Sequence, residues 1–103
     1  MTVAEQIGLN LKGIRREACM SQDELSRRSG LHYSEIGLLE RGGRVPRIDT
    51  CIRILGSAGG DPRDLVEGIA WHESARWDKK GWFTIRGIEG PVDVRGPRRG
   101  RAA

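Results

Sequence analysis

The chain has 103 residues, of which 31% are charged and 37% are apolar; this length suits one small domain, and the composition is ordinary for a globular protein. No apolar run is long enough to cross a membrane, and Glu5 and Gln6 interrupt the stretch where a signal-peptide core would have to lie. Two cysteines, Cys19 and Cys51, are too few and too far apart for a disulfide framework or a zinc ribbon. We therefore expect a cytoplasmic protein without a metal or a cofactor.

The net charge of +4 is confined to one part of the chain. Residues 1–70 contain ten basic and ten acidic side chains, whereas residues 71–103 contain eight basic and four acidic ones. A basic protein often binds nucleic acid, but many basic tails are only solvated chain ends. Charge alone does not identify a partner.

The first predicted element is an amphipathic helix over residues 3–18. Its apolar residues recur at intervals of three and four, which places them in one stripe on a helix of 3.6 residues per turn. Gly8 and Gly13 each weaken the helix by about 1 kcal/mol relative to alanine, so packing against other elements has to support it. The stripe consists of Val3, Ile7, Leu11, Ile14 and Ala18.

Two further short helices are predicted in the next part of the chain. Ser21 and Glu24 form a capping box, in which the side chain of each residue bonds the backbone N–H of the other. This pattern starts a helix over 22–29, which Gly30 ends, and a third helix is expected over 33–41. Their inward-facing residues are Leu25, Ile36 and Leu39.

Residues 48–58 show the apolar spacing of a fourth helix. Asp61 followed by Pro62 is a helix start signal, and it predicts a short fifth helix that runs to about Ile69. Five short helices with short connections indicate an all-α fold, a compact five-helix domain over residues 1–70. The expected inward face of the fourth helix is Ile48, Cys51, Ile52 and Leu55.

Residues 71–94 differ from the preceding domain because they are rich in aromatic side chains. Residues 82–85 and 91–94 have the composition of short β-strands, and residues 95–103 are expected to be a disordered basic tail. Each tryptophan has roughly 150–250 Å² of surface to bury, so we expect the three of them to be buried. Two alternatives stay open: the segment completes the core of its own chain, or it pairs two chains. The aromatic residues are Trp71, Trp77, Trp82 and Phe83.

Two short helices joined by a turn that contains glycine are typical of a DNA-binding helix-turn-helix. Ser26 supplies a small residue where the two helices cross, Gly30 tolerates a positive φ in the turn, and Ile36 anchors the second helix from behind. A constraint on several positions is more specific than a glycine-rich loop alone. The apolar positions between are filled by Leu25, Leu31 and Leu39.

The segments 21–31, 36–42 and 46–50 resemble the Cro/phage-repressor (XRE) helix-turn-helix family, and the resemblance covers roughly residues 5–70. The chain is similar in particular to small stand-alone regulators of this family from GC-rich bacteria. The resemblance implies a repressor-like fold whose third helix enters the major groove. It also implies double-stranded DNA as partner and a homodimer that contacts two half-sites one helical turn apart.

The resemblance assigns roles to individual residues. The base contacts that it implies are His32, Tyr33, Ser34 and Leu38. The phosphate contacts are Gln22, aided by the positive end of its helix dipole, and Arg41, Arg44 and Arg47. Arg15 and Glu40 occupy the positions of a partly buried, structural ion pair.

The sequence departs from the family pattern at several of these positions. His32 stands where Ser or Thr usually caps the third helix, and Ser26 stands where Ala is usual. Tyr33 and Ser34 cannot form the bidentate bonds to purines that Gln, Arg or Asn form, and Gly37 removes a possible contact. Packing for Tyr33 and helix capping for His32 are the structural alternatives to base contact.

The motifs of common enzymes are missing from the sequence. His72 and Glu73 begin like a zinc protease motif, but Arg76 stands where the second histidine is needed. We therefore expect a sequence-specific transcriptional regulator, of the repressor type that the family resemblance implies, rather than an enzyme. The alternative is an antitoxin or mobile-element accessory protein that binds a protein partner through residues 71–94.

Overall fold

A computed structural model describes residues 1–96, and within them five helices are followed by one two-stranded antiparallel sheet. The all-α domain predicted from the sequence is confirmed, with a small sheet added to it. The helices are α1 (Val3–Glu17), α2 (Gln22–Ser29), α3 (Tyr33–Glu40), α4 (Ile48–Ala58) and α5 (Pro62–Leu65). The strands are β1 (Ile69–His72) and β2 (Trp82–Ile85). No helix in the described part of the chain is long and apolar enough to cross a membrane.

The hydrophobic core lies between α1, α2, α3 and α4. The stripe predicted on α1 faces this core, since all its members except the half-buried Ala18 are buried. The three inward residues predicted for α2 and α3 are each 1% exposed, which confirms which faces of these helices pack inward. The largest fully buried side chains are Leu11, Leu25, Ile36, Leu39 and Ile54.

Capping side chains start the first two helices. The Ser21 hydroxyl accepts a hydrogen bond from the Glu24 N–H at 3.0 Å, whereas the Glu24 carboxylate pairs with Arg28 at 2.8 Å, so only half of the predicted capping box forms. A complete box stands instead at the start of α1, where Thr2 and Glu5 each bond the backbone N–H of the other. Thr-x-x-Glu is a readable signal that the sequence analysis missed.

The inward face predicted for α4 is wrong in part. Cys51 is buried and Leu55 is partly buried against the core, as predicted, but Ile48 and Ile52 are 77% and 63% exposed. The helix buries Thr50 and Ile54 in their place. The helix carries apolar residues on two sides, so apolar spacing alone could not tell which side meets the core. Packing against α2 settles the choice.

The fifth helix ends four residues earlier than predicted. Asp61 caps it as expected, because its carboxylate accepts from the Arg63 N–H at 2.8 Å. The bonds from the Arg63 side chain and backbone lower the pKa of Asp61. Gly68, whose φ is +84°, turns the chain after α5, and Ile69 already belongs to β1.

The predicted strand over 82–85 exists and pairs with 69–72, which was not predicted as a strand, whereas 91–94 does not form the predicted strand. Ile69 lies opposite Ile85, and this register turns both side chains toward the core. Of the segment 91–94, Val92 makes a single bridge to Phe83.

The prediction that the three tryptophans are buried is wrong for the single chain. Trp71, Trp77 and Trp82 are 54%, 98% and 42% exposed, respectively. Trp82 stacks on His72, with ring centroids 5.7 Å apart, on the outer face of the sheet, while Trp77 lies in the connection between the strands. The segment does complete the core, but through Phe83, Ile85 and Val92, which pack there beside Ile69 of the preceding residues.

The end of the described chain is attached to the start of α1. The N–H groups of Val3 and Ala4 donate to the carbonyls of Asp93 and Val94 at 2.9 and 2.8 Å. These are N–H groups that a helix start leaves without partners inside the helix. Residues 97–103, most of the tail expected to be disordered, lie outside the described residues.

Candidate nucleic-acid interface

The turn between α2 and α3 is fixed by glycine geometry and by serine hydroxyls. Gly30 has a φ of 78° and its N–H donates to the Ser26 carbonyl at 3.0 Å. The Ser26 hydroxyl donates to the Leu31 carbonyl at 2.5 Å, and the Leu31 N–H donates to the Ser29 hydroxyl at 3.3 Å. The unusual Ser26 therefore adds a bond across the turn that alanine could not make.

His32 caps α3 in place of the usual hydroxyl residue. Its Nδ1 accepts from the Ser34 N–H at 3.2 Å and lies 2.7 Å from the Ser34 hydroxyl. The Tyr33 ring lies beside the imidazole, with centroids 4.8 Å apart, and is 56% exposed. His32 and Ser34 thus have partners within the chain, whereas Tyr33 stands free on the first turn of α3.

The far end of α3 is shaped by two glycines. Leu38 is half-buried because the loop packs on it: a Cβ on Gly43 would overlap the Leu38 side chain. Gly37 is buried although it has no side chain, since a Cβ there would lie 3.0 Å from Nη1 of Arg41. Leu38 is therefore less accessible than the other three expected base contacts, which are exposed at the start of the helix.

Arg15 and Glu40 meet in a buried, two-bond ion pair. Arg15 Nε and Nη2 donate to the two Glu40 oxygens at 2.7 and 3.0 Å, and Nη1 donates to the Met20 carbonyl at 2.8 Å. The hydrogen bond with Glu40 raises the pKa of Arg15. Gln22 joins the pair by donating to Glu40 at 2.9 Å. Gln22, which is expected to contact a phosphate, is thus hydrogen-bonded to α3 in the protein without DNA.

Two arginines of the loop after α3, Arg44 and Arg47, also have carboxylate partners. Arg44 pairs with Glu35 at 2.5 Å and Arg47 with Asp49 at 3.2 Å. Both arginines are more than half exposed, so these pairs are open to solvent and to competing anions. Together with Arg53 they line an open groove of about 440 Å³ between α3 and α4.

Arg53 is the basic residue of this groove that the sequence analysis did not single out. Its Nη1 lies 3.7 Å from the position of a Cβ on Gly30, so the side chain reaches the helix-turn-helix turn from α4. Its separation from the turn by 23 positions in sequence concealed this proximity. Among residues 1–96, no three His, Cys, Asp or Glu side chains are grouped closely enough to hold a metal ion.

Comparison with known proteins places the helical domain among DNA-binding regulators. The helix-turn-helix family model matches residues 11–65, more than half of the chain. The restriction-modification controller protein C.AhdI from Aeromonas hydrophila is 29% identical with a TM-score of 0.57, over 60% of this chain and 94% of that one. No curated protein matches the chain significantly.

Two more solved structures share the fold. The wild-type restriction-modification controller protein C.Esp1396I is 24% identical with a TM-score of 0.58, over 65% of this chain and 88% of its own. The clp gene regulator ClgR from C. glutamicum is 20% identical with a TM-score of 0.61, over 64% and 86%. The remainder of this chain has no counterpart in these matches.

Proposed function

The chain belongs to the XRE-type helix-turn-helix family of DNA-binding transcriptional regulators, and we propose that it recognises its operator as a homodimer, with α3 in the major groove. The observation that carries this proposal is the exposed first turn of α3, with Tyr33 at its tip, flanked by the arginines of the following loop. Side chains on a helix that enters the major groove meet base edges, while cations beside it meet phosphates.

The division of labour follows from the contacts of each side chain. Tyr33 offers one hydroxyl and a ring face that suits thymine methyl groups, so it contributes to base preference. Arg44 and Arg47 contact phosphates by exchanging the carboxylates of Glu35 and Asp49 for phosphate oxygens. Because a phosphate carries no base identity, these two residues increase the affinity for DNA without adding a preference for particular bases.

Binding titrations at three salt concentrations test this division, with a site selected from random duplexes and a scrambled duplex. Arg44→Ala weakens both duplexes equally and lowers the magnitude of the log K against log salt slope by about 0.9 per lost contact, or about 1.8 for a dimer that loses one contact in each half-site. Tyr33→Ala changes the preferred base at one or two positions of a half-site by about 1–3 kcal/mol, with the slope nearly unchanged. The reverse pattern would mean that a different face of α3 meets the bases.

The exposed apolar side chains of α4 supply the pairing surface that we propose for the dimer. Ile48 and Ile52 stand one turn apart on a face that no other part of residues 1–96 covers. The helix follows directly on the loop with Arg44 and Arg47, so pairing here brings two α3 helices to the same side of a duplex. Large exposed apolar side chains in one patch are typical of interaction sites.

Sedimentation velocity separates this surface from the aromatic one expected at Trp71, Trp77, Trp82 and Phe83. Ile48→Glu with Ile52→Glu produces a monomer, and Trp77→Ala remains a dimer. If Trp77→Ala forms a monomer instead, the dimer interface lies on the aromatic surface and not on α4. Truncation after residue 70 is unsuitable for this purpose, because it removes Ile85, a core residue that is 3% exposed.

A second candidate function rests on the exposure of the tryptophans. Trp77 is 98% exposed, and tryptophan is prominent among the residues that dominate protein interfaces. An antitoxin or mobile-element accessory protein would use residues 71–94 to bind a protein partner. A toxin or effector gene beside this one, together with random-duplex selection at low salt that enriches no site, would favour this function over the regulator.

A further inference from the structure

Arg41 lies across the recognition helix in the space where Gly37 has no side chain. A Cβ on Gly37 would stand 3.0 Å from Nη1 of Arg41 and 4.0 Å from Oε1 of Gln22. Gly37 is buried although it is a glycine on a short surface helix, so the guanidinium group itself contributes to its cover. The mid-helix glycine thus makes room for an arginine from the end of the same helix.

The position of Arg41 in the helix places this guanidinium beside the base-reading face. Tyr33, Gly37 and Arg41 are spaced by four residues, and this spacing puts them in one row along α3. Side chains on a helix lean toward its N-terminus, so Arg41 runs back along the row toward Tyr33. Tyr33 and Arg41 are both exposed, and between them the Arg41 guanidinium group lies over the buried Gly37.

The charge of Arg41 is also available, unlike that of its neighbours. Arg44 pairs with Glu35 and Arg47 pairs with Asp49. Within residues 1–96, no carboxylate lies within ion-pair distance of Arg41. Its donors are therefore free in the unbound protein.

We propose that Arg41 contacts a base, a guanine in the major groove, rather than the phosphate to which the family resemblance assigns it. Guanine presents N7 and O6 as two adjacent acceptors, and the forked guanidinium group matches them with two donors. No other side chain on this face can form that pair, since Tyr33 and Ser34 carry single hydroxyls. The inference rests on the proposed entry of α3 into the major groove, and it makes Gly37 a positioning residue for specificity.

The experiment uses the full chain, its selected site and the set of single-base variants of that site. Arg41→Ala removes the preference for one G·C pair per half-site by about 5- to 150-fold, the equivalent of about 1–3 kcal/mol, and leaves the other positions unchanged. Replacing that guanine by 7-deazaguanine, which lacks the N7 acceptor, weakens the wild type but not Arg41→Ala.

Gly37→Leu provides the variant in which the charge is kept and only the position of Arg41 changes. Leucine fills the space over α3 and favours helix formation, so it displaces the guanidinium without weakening the helix. We expect loss of the same G·C preference, an unchanged salt slope, and no further loss at that pair when Gly37→Leu is added to Arg41→Ala. Gly13→Ala, on the open side of α1 with no atom within 4 Å of the new methyl group, is the matched control.

Two results would overturn the inference. One is a uniform loss of affinity for all sites in Arg41→Ala with a salt slope smaller by about 1.8 for the dimer, which marks one phosphate contact in each half-site. The other is a uniform loss in Gly37→Leu, which marks a clash with DNA instead of a displaced arginine. If the wild type selects no site at all, the proposed sequence-specific function fails first, and this inference falls with it.

Discussion

At the scale of single residues, the ion pair of Arg15 and Glu40 connects α1 to the two helices of the helix-turn-helix. Their side chains are 10% and 5% exposed, and Gln22 from α2 and the Met20 carbonyl complete the hydrogen bonds. One arginine thus ties α1 to the end of α3 and to the connection before α2. Removing one partner would leave a charge buried without its counterion, which costs far more than the intact pair contributes.

Arg15→Ala is therefore expected to lower the free energy of unfolding by about 3–5 kcal/mol, measured by urea denaturation. The DNA site selected by the folded fraction stays the same, because Arg15 is buried and is not one of the side chains that α3 exposes. Arg28→Ala, which breaks the exposed pair with Glu24, is the control and changes stability by less than about 1 kcal/mol. Equal denaturation curves for Arg15→Ala and the wild type would remove the structural role of the pair.

A second prediction at this scale concerns the carboxylate that holds Arg44. Glu35 lies on α3 and has to release Arg44 before the arginine can bind a phosphate. Glu35→Gln removes this competition and one negative charge near the DNA. We expect binding to become tighter by about two- to fivefold, the equivalent of about 0.5–1 kcal/mol, for selected and scrambled duplexes alike.

Glu67→Gln is the matched control for Glu35→Gln, because it makes the same change of charge in the exposed pair with Arg86. A titration in which both variants behave alike would show that only the net charge matters. Weaker binding by Glu35→Gln would show that the carboxylate positions Arg44 for its contact rather than competing for it.

At the scale of the elements, the crossing of α1 and α3 depends on one of the two glycines in α1. A Cβ on Gly8 would stand 2.4 Å from the Leu39 carbonyl oxygen and 2.7 Å from that of Glu40, so the backbones touch there. Gly13 has no atom within 4 Å of the same position. From the sequence, both glycines are expected to weaken the helix equally. In the structure, only Gly8 is required by packing, because a larger residue there would overlap α3.

Alanine substitutions at these two positions are expected to act in opposite directions. Gly13→Ala raises the free energy of unfolding by about 0.5–1 kcal/mol, because alanine is the better helix former. Gly8→Ala lowers it by about 1–3 kcal/mol, because a methyl group forces α1 and α3 apart. Thermal denaturation of both variants measures the difference, and a stabilised Gly8→Ala protein would contradict the close crossing.

The sequence predicts α1 to α4 well because each begins at a capping signal or carries a clear apolar period. The pairing of Arg15 with Glu40 is predicted through the family resemblance. The position of α3 is predicted from the glycine-containing turn that precedes it. The sequence misassigns Ile48 and Ile52 because exposed apolar residues one helical turn apart have the same spacing as a core face. It misses the partner of β2 because a local pattern cannot show that Ile85 has to reach the core beside Ile69.

The interface is less predictable than the fold for a related reason. The position of Arg41 over Gly37 depends on a side chain that turns back along its own helix. The position of the Arg53 side chain near the turn depends on the packing of α4 on α2. Neither is encoded in the residues next to it in sequence, so composition and spacing indicate a basic loop but not which cation lies where.

At the scale of the whole molecule, the two ends of the described chain hold each other. After β2 the chain passes Val92, which packs on the core and bonds Phe83 at 3.0 Å. It then supplies the Asp93 and Val94 carbonyls to the first two residues of α1. The sheet is therefore part of the helical domain, since α1 begins on a segment that follows β2.

Two truncations test whether the segment after β2 stabilises the start of α1. A chain that ends after Gly90 loses both bonds to α1, the bond from Val92 to Phe83 and the packing of Val92, whereas a chain that ends after Gly96 keeps them. We expect the shorter chain to be less stable than the longer one by about 2–4 kcal/mol, from three hydrogen bonds and one half-buried valine. Hydrogen exchange at the Val3 and Ala4 amides should be faster in the shorter chain only. Equal stability and equal exchange would show that α1 starts without the segment after β2, and that the helical domain folds independently of it.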